Sequence, residues 1–433
     1  MKEEELLRRI QELEAENAKL RQAYNPQEHI FEKIDSHFSL EEYRRYGRQM
    51  IVSEFGSLPA QKRLKDASIL VVGAGGLGCP ALLYLGGAGI GKIGIVDNDI
   101  VDVSNLHRQV LHTTETVGML KCESAKLYLN RLNPHVSVAT HPERLTNENA
   151  FGIISQYDLV LDCTDTPATR YLINDVSVLC GKTIVSGSGV KTDGQITILN
   201  FRSEGPCYRC FYPTPPKPES VSTCGDAGVL GPAIGITGIA IAMEAIKVLT
   251  GYYDKSFEPF LSMYSAYPMQ NMRVFKMRKR QKHCLVCGEA PTITREIVES
   301  GKIDYAVFCG SVNSNILTSE QRIDVKEFHS LRSANPNSIL IDVRPREQFL
   351  ITKLPNAINI DWTSILSKID SVDDYIPLSF NKDEDALYVI CRYGNDSQLA
   401  AQKLHELGFR KVKDIKGGMY KWSCDVDPKI PIY

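Results

Sequence analysis

The chain has 433 residues, an apolar share of 43%, a charged share of 24% and a formal net charge of −2. That length exceeds one ordinary core and predicts two globular domains, and the near-neutral balance points to neither nucleic acid nor an anionic membrane as a direct partner. The start, MKEEELLRR, has neither the apolar region of a secretion signal nor the acid-poor composition of a transit peptide. Twelve cysteines without such a signal predict a reducing, cytoplasmic setting, where cysteines bind metals or do chemistry more often than they form structural disulfides.

The first predicted element is a helix. Leu6, Ile10, Leu13, Asn17 and Leu20 follow one another at spacings of 4, 3, 4 and 3, a heptad seam with one polar position. Three heptads are marginal for an isolated coiled coil, so residues 1–36 read as an N-terminal helix that either pairs with another chain or stands alone. From Leu40 to Leu249 strands and helices alternate. Ser68–Val72, Ile93–Asp97, Leu159–Asp162 and Thr183–Ser186 are apolar runs of strand length ending in small or acidic residues. Such units build a mainly parallel sheet with right-handed crossovers, and ligands bind beyond the C-terminal strand ends. The apolar stretch Val229–Met243 is soon interrupted by Glu244 and Lys247, and reads as a buried helix rather than a membrane span. A second alternating unit begins near Arg322, with Ser338–Asp342 and Ala386–Ile390 as its clearest strands. The predicted fold class is α/β: a Rossmann-like domain over 37–290, a linker and tail over 291–321, and a smaller α/β domain over 322–433.

Gly73-Ala-Gly75-Gly76-Leu-Gly78 follows the first strand directly. Its glycines let the backbone turn tightly and approach a phosphate, and the following helix N-terminus favours negative charge. Asp97 stands at the end of the next strand, where an acidic side chain binds ribose hydroxyls. An NAD-dependent oxidoreductase fits these features equally well, but no hydride-transfer acid or base stands out. Ser104-Asn105-Leu106-His107-Arg108-Gln109 and Lys121 instead bring cations toward the phosphate end, as transfer from a triphosphate requires. Asp162 and Asp165 cluster at another strand end, where carboxylates beside phosphates suit Mg2+.

Tyr46-Gly-Arg48-Gln49, the glycine turn, Asp97, the Ser104–Gln109 segment, Lys121 and Cys163-Thr-Asp165 resemble the adenylating domain of ubiquitin-activating-type enzymes and their bacterial molybdopterin- and thiamine-biosynthetic relatives, over about Leu40 to Gly288. The resemblance implies an ATP site in which Asp97 binds ribose, Asn105, Arg108 and Lys121 contact phosphates, and Asp165 positions Mg2+. Gly76, Ser104, Leu106, His107 and Thr166 belong to the same implied site. Arg48 would reach into the site of a second protomer, implying a homodimer. The implied reaction is attack of a protein's C-terminal glycine carboxylate on the α-phosphate of ATP.

Cys207-Tyr-Arg-Cys210 and Cys284-Leu-Val-Cys287 are two CxxC pairs. Four thiolates suit a closed tetrahedral Zn2+ site, which stabilises and does not catalyse. The distance between the pairs predicts a staple between separate parts of the first domain. A redox dithiol and unligated core cysteines are the alternatives, and the family resemblance favours structural zinc.

Two further cysteines are candidate nucleophiles. Cys224 follows the proline-rich Tyr212–Pro218, too rich in proline for helix or central strand, and precedes the apolar helix. A thiol near a helix N-terminus has its thiolate favoured, although Asp226 opposes this; an inert loop cysteine is the alternative. Cys391 follows a strand directly and opens Cys391-Arg-Tyr-Gly-Asn-Asp396 before a helix over Ser397–Leu407. Such a loop aims backbone N–H groups at a central sulfur anion, and Arg392 adds positive charge.

Ile341-Asp342-Val-Arg344-Pro345 with Glu347, the Cys391 loop, and Gly417-Gly418 with Trp422 resemble the rhodanese family over about Arg322 to Tyr433. That implies a cysteine persulfide on Cys391. Asp396 makes the loop less positive than in thiosulfate-using members, which points to a protein persulfide donor, a cysteine desulfurase or sulfurtransferase. The fusion of the two units resembles the eukaryotic, and in its motifs the fungal, activators of ubiquitin-like sulfur carriers. These end in Gly-Gly and serve tRNA wobble-uridine 2-thiolation, protein modification and, in many organisms, molybdopterin synthesis. The implied sequence is adenylation of the carrier, attack by the Cys391 persulfide, and action of Cys224 either before or after that attack. A non-catalytic scaffold would have lost its nucleophiles, and both cysteines are present.

Overall fold

The structure is a computed structural model that describes residues 2–23, 37–215, 227–309, 316–335, 338–367 and 372–433. The chain divides into two units, Met1–Gly310 and Ser311–Tyr433.

The first unit is built on eight strands: β1 Ser68–Val72, β2 Lys92–Val96, β3 Ser137–His141, β4 Leu159–Asp162, β5 Thr183–Val190, β6 Asp193–Leu199, β7 Phe260–Ser265 and β8 Asn271–Lys276. Their order in the sheet is β3-β2-β1-β4-β5-β6-β7-β8. The first five are parallel and the last three antiparallel. Because side chains alternate across a strand, β1 feeds two cores. Ile69 and Val71 pack on one face with the helices Gly78–Ala88 and Gly231–Thr250. Leu70 and Val72 pack on the other with Tyr171, Ile173 and Val176 of the helix Pro167–Leu179. The four predicted strands are present, and β5 runs on to Val190.

By length and composition the helix Gly231–Thr250 is apolar enough to cross a membrane. Here Ile234, Ile241, Ala242 and Ala245 are buried against the sheet. Gly238 allows close approach, since a Cβ there would lie 2.4 Å from the Leu77 carbonyl oxygen.

The stretch read as linker and tail packs on the first unit as far as residue 309. Ile293, Val298, Tyr305 and Cys309 join its second core. The Tyr305 hydroxyl donates to Asp175 Oδ2 at 2.9 Å. Arg209 Nε and Nη2 donate to the same carboxylate at 2.8 and 2.7 Å. The Arg209 guanidinium lies 4.8 Å from each of the Tyr171 and Phe308 ring centres. One buried ion pair thus joins a helix, a cysteine knuckle and the tail.

The N-terminal helix spans Lys2–Ala23. Its seam residues Ile10 and Leu13 are exposed.

The second unit has five parallel strands: β9 Arg322–Ile323, β10 Ile339–Asp342, β11 Ala357–Asn359, β12 Leu387–Ile390 and β13 Val412–Ile415, in the order β11-β10-β12-β13-β9. Leu387 and Val389 face one core, and Tyr388 and Ile390 face the other, where Trp422 packs beside Phe328.

Replacing Asp175 by Ala strands a buried guanidinium. The expected loss is about 3–5 kcal/mol, read as a lower urea midpoint for the first unit. A loss below about 1 kcal/mol would show that the pair is worth no more than an exposed one.

Candidate functional site

Beyond the C-terminal ends of β1, β2 and β4 lies a cavity of about 760 Å³, where an open parallel sheet binds its ligand. The glycine turn forms its floor. Gly73 has φ +97, and a Cβ there would lie 2.8 Å from the Cys163 carbonyl oxygen. At Gly78 a Cβ would lie 1.9 Å from the Gly73 carbonyl oxygen. These two glycines are therefore required by packing. Gly75 and Gly76 line the cavity and leave their backbone open to it.

Asp97 holds the turn. Its Oδ2 accepts from Ala74 N–H at 2.7 Å, and its Oδ1 from Asp99 N–H at 2.9 Å. Burial raises its pKa, and the nearby Lys121 charge and these N–H groups oppose the rise. The buried His112 lies between Ser124 Oγ at 2.9 Å and the Ala74 carbonyl at 3.0 Å, bracing the same turn from behind.

Lys121 opens the helix Lys121–Leu132, and only 7% of its surface is exposed. Its Nζ meets Asp99 Oδ2 at 2.8 Å. Arg108 is oriented by Asn105 Oδ1 and the Ser104 carbonyl, both at 2.9 Å. Of the sequence-predicted residues, Gly76, Asp97, Asn105, Arg108, Lys121, Asp165 and Thr166 line this one cavity. Ser104, Leu106 and His107 form the adjoining turn, outside the lining. Arg48 is exposed on the helix Leu40–Met50, also outside the lining of its own cavity. Asp162 is committed to structure, accepting from Ser186 Oγ at 2.8 Å and pairing with Arg170 Nε at 3.2 Å. Arg144 and Arg170 line the cavity without having carried a sequence signal.

Cys224 lies outside the described residues. The helix that follows it starts at the same site: Val229 and Ile234 line the cavity, and a Cβ on Gly231 would lie 2.5 Å from the His107 carbonyl oxygen.

Cys207, Cys210, Cys284 and Cys287 are buried together, their sulfurs all within 4.8 Å of one another. Measured pairs are 3.9 Å for Cys207–Cys210, 3.5 Å for Cys207–Cys284 and 3.4 Å for Cys210–Cys287. Four zinc–sulfur bonds in a tetrahedron place the sulfurs about 3.8 Å apart. The donor set and its spacing therefore fit a closed zinc site, and Gln281 N–H donates to Cys210 Sγ at 3.4 Å as an outer support.

In the second unit Cys391 is 2% exposed at the end of β12. Gly394 N–H donates to its Sγ at 3.1 Å. Gly394 has φ +82, and a Cβ there would lie 2.6 Å from Gly417 N, so the loop and the Gly417-Gly418 turn fit only without side chains. Burial pushes the thiol pKa up, and contacts with Ser397 and the Gly394 N–H oppose the rise. The Arg392 guanidinium stacks on Tyr433 and Tyr393, 4.6 and 4.9 Å from their ring centres. Asp396, close after the loop glycine, raises the Cys391 thiol pKa further.

Residues 46–286 match the ThiF family, and residues 324–425 match the rhodanese-like domain. The chain is 62% identical over 437 residues to the adenylyltransferase and sulfurtransferase UBA4 of Scheffersomyces stipitis, covering 100% of this chain and 99% of that protein. It is 60% identical over 443 residues to the protein of the same name from Debaryomyces hansenii, and 61% over 433 residues to that of Candida albicans, each covering 99% of both chains.

Purified protein is expected to hold stoichiometric zinc by plasma emission spectrometry. Stripping it with a chelator should unfold the region around the four cysteines. A metal content far below stoichiometric would contradict the site.

Proposed function

The chain belongs to the ThiF family and, along its whole length, to the adenylyltransferase and sulfurtransferase enzymes that also carry a rhodanese-like domain, and from that premise we propose that it activates a ubiquitin-like sulfur-carrier protein ending in Gly-Gly. The observation that carries this reading is the meeting of Gly76, Asp97, Arg108, Lys121 and Asp165 on one cavity. It combines an approachable backbone, a ribose acceptor, two cations and a carboxylate.

The carrier's terminal carboxylate attacks the α-phosphate of ATP, giving an acyl-adenylate and releasing pyrophosphate. Asp97 accepts from the ribose. Asn105, Arg108 and Lys121 face the phosphates, and the exposed Asp99 yields Lys121 to the incoming charge. Asp165 would hold Mg2+, which would supply charge neutralisation on the phosphates, and Thr166 lines the nucleotide cavity beside it. Ser104, Leu106 and His107 shape the turn that presents Asn105 and Arg108. Arg48, exposed and away from its own cavity, acts in the site of the partner in a homodimer.

The second half supplies sulfur. A protein persulfide from a cysteine desulfurase or sulfurtransferase loads Cys391. The Cys391 persulfide attacks the acyl carbon, and AMP leaves. Cys224 has two consistent roles: accepting the acyl group beforehand as a thioester, or attacking Cys391 afterwards. In the second role the thiocarboxylate departs and a Cys224–Cys391 disulfide remains. Zn2+ on the four cysteines is structural. We place the enzyme in the cytoplasm; eleven cysteines among the described residues, none of them in a disulfide there, support a reducing compartment. The thiocarboxylate then serves tRNA wobble-uridine 2-thiolation and protein conjugation, or molybdopterin synthesis.

Two substitutions separate the halves. Cys391→Ser should keep carrier-dependent ATP–pyrophosphate exchange and abolish thiocarboxylate. Lys121→Ala should lower the exchange itself by roughly a hundredfold or more. Loss of exchange in Cys391→Ser would sink this division of labour.

A further inference from the structure

Behind Cys391 stands a line of buried polar groups that the sulfur-transfer chemistry described above does not use. Cys391 Sγ is 3.2 Å from Ser397 Oγ. Ser397 Oγ donates to Asp414 Oδ1 at 2.5 Å. Arg322 Nε donates to Asp414 Oδ2 at 2.7 Å. Ser397 and Asp414 are both fully buried. They sit on different elements, the helix Asp396–Glu406 and β13, and β9 brings Arg322 alongside.

The hydrogen positions follow from the donor inventory. A carboxylate has no proton to give, so the single hydroxyl hydrogen of Ser397 points at Asp414. The lone pairs of Ser397 Oγ then face Sγ, and the contact is Cys391 S–H donating to Ser397. Losing that thiol proton to water would leave a thiolate and a carboxylate together in a buried site, at a large cost.

We propose that Ser397 and Asp414 are a proton relay that ionises Cys391. As the thiol proton moves to Ser397 Oγ, the Ser397 proton moves to Asp414 Oδ1. One S–H and one O–H bond break, and two O–H bonds form. The electron pair stays on Sγ, and the trio keeps a single negative charge throughout. Ser397 now donates to the thiolate alongside Gly394 N–H, while Arg322 remains on the other Asp414 oxygen. The thiolate attacks the outer sulfur of a protein persulfide. The donor's S–S bond breaks, its inner sulfur leaves as a thiolate, and the Cys391 persulfide forms. Ser397 touches the reacting sulfur and is a catalytic residue; Asp414 acts through it and is a positioning residue. The largest other charges on the relay are Asp396, which opposes the thiolate, and Arg322 and Lys416, which favour ionised Asp414. The relay deepens the sulfur-carrier reading and rests on it only for turnover, since ionisation of Cys391 is a property of the chain alone.

The test is the pH dependence of Cys391 alkylation by iodoacetamide in the full chain. It is followed at the Cys391 peptide by mass spectrometry from about pH 5 to about pH 9. A thiol and a carboxylate that share a proton titrate as a pair. The tautomer with the proton on Asp414 has a pH-independent population between the two steps, so the wild-type rate should show a shoulder there. Ser397→Ala and Asp414→Asn should each give a single limb without a shoulder, falling about tenfold per pH unit. At neutral pH both should be roughly ten- to a hundredfold slower. Ser397→Thr, which keeps the hydroxyl, should restore the shoulder. A merely structural Asp414 would give the opposite sign, since Asn removes a negative charge beside the sulfur and speeds alkylation. A wild-type profile without a shoulder, or a Ser397→Ala profile that superimposes on it, would overturn the relay. Failure of the sulfur-carrier reading looks different: the shoulder is intact, but Cys391 takes up no sulfur from a persulfide donor.

Discussion

Each unit turns a parallel strand into a helix through a loop that closes only because glycine lets backbone approach backbone. In the first unit Gly78 sits so near the Gly73 carbonyl that any side chain would collide with it, and Asp97 ties the turn between them by accepting from Ala74 N–H. The bare backbone at Gly75 and Gly76 then faces the cavity. In the second unit Gly394 turns its N–H onto Cys391 Sγ, and the loop closes only because Gly417 and Gly418 present nothing but backbone to it. The same device faces a cavity in one half and a cysteine sulfur in the other.

Buried carboxylates in both units are paired with arginines in local sets. Asp162 with Arg170 stiffens the end of β4. Asp342 with Arg344 does the same at the end of β10, where Arg344 also donates to the Thr352 carbonyl at 2.7 Å. Asp175 with Arg209 anchors the cysteine knuckle and the tail. Such pairs give modest net stability but are costly to break singly. Their value here is positional, because each ties an element of the sheet or a covering helix to a neighbouring segment.

Much of this could be read from the residues. β1 and β4 lie where their apolar runs fall, because helices cover both faces of those strands. The antiparallel extension β6–β8 escaped notice. Its edge strand β8 leaves Met272, Val274 and Phe275 exposed, so it lacks the clean apolar run of a covered strand. The tail was read as linker because it is short of regular pattern; its attachment depends on Val298 and Tyr305 meeting a distant ion pair. The residues lining the cavity were legible as a motif because glycine and cation spacing is local. Ser397, Asp414 and Arg322 were not, since the pairing of β12, β13 and β9 is what brings Arg322 and Asp414 behind Ser397. The high thiol pKa of Cys391 also went unforeseen, because burial is a property of the fold.

The central claim is that sulfur held on Cys391 reaches a carboxylate that ATP has activated on the same chain. The most direct measurement loads Cys391 with heavy-isotope sulfur, removes the donor, and follows one turnover with a carrier ending in Gly-Gly by mass spectrometry. The account predicts labelled thiocarboxylate on the carrier only when ATP is present, with matching loss of label from Cys391. Label that stays on Cys391 in the presence of ATP and carrier, or that reaches the carrier without ATP, would contradict it.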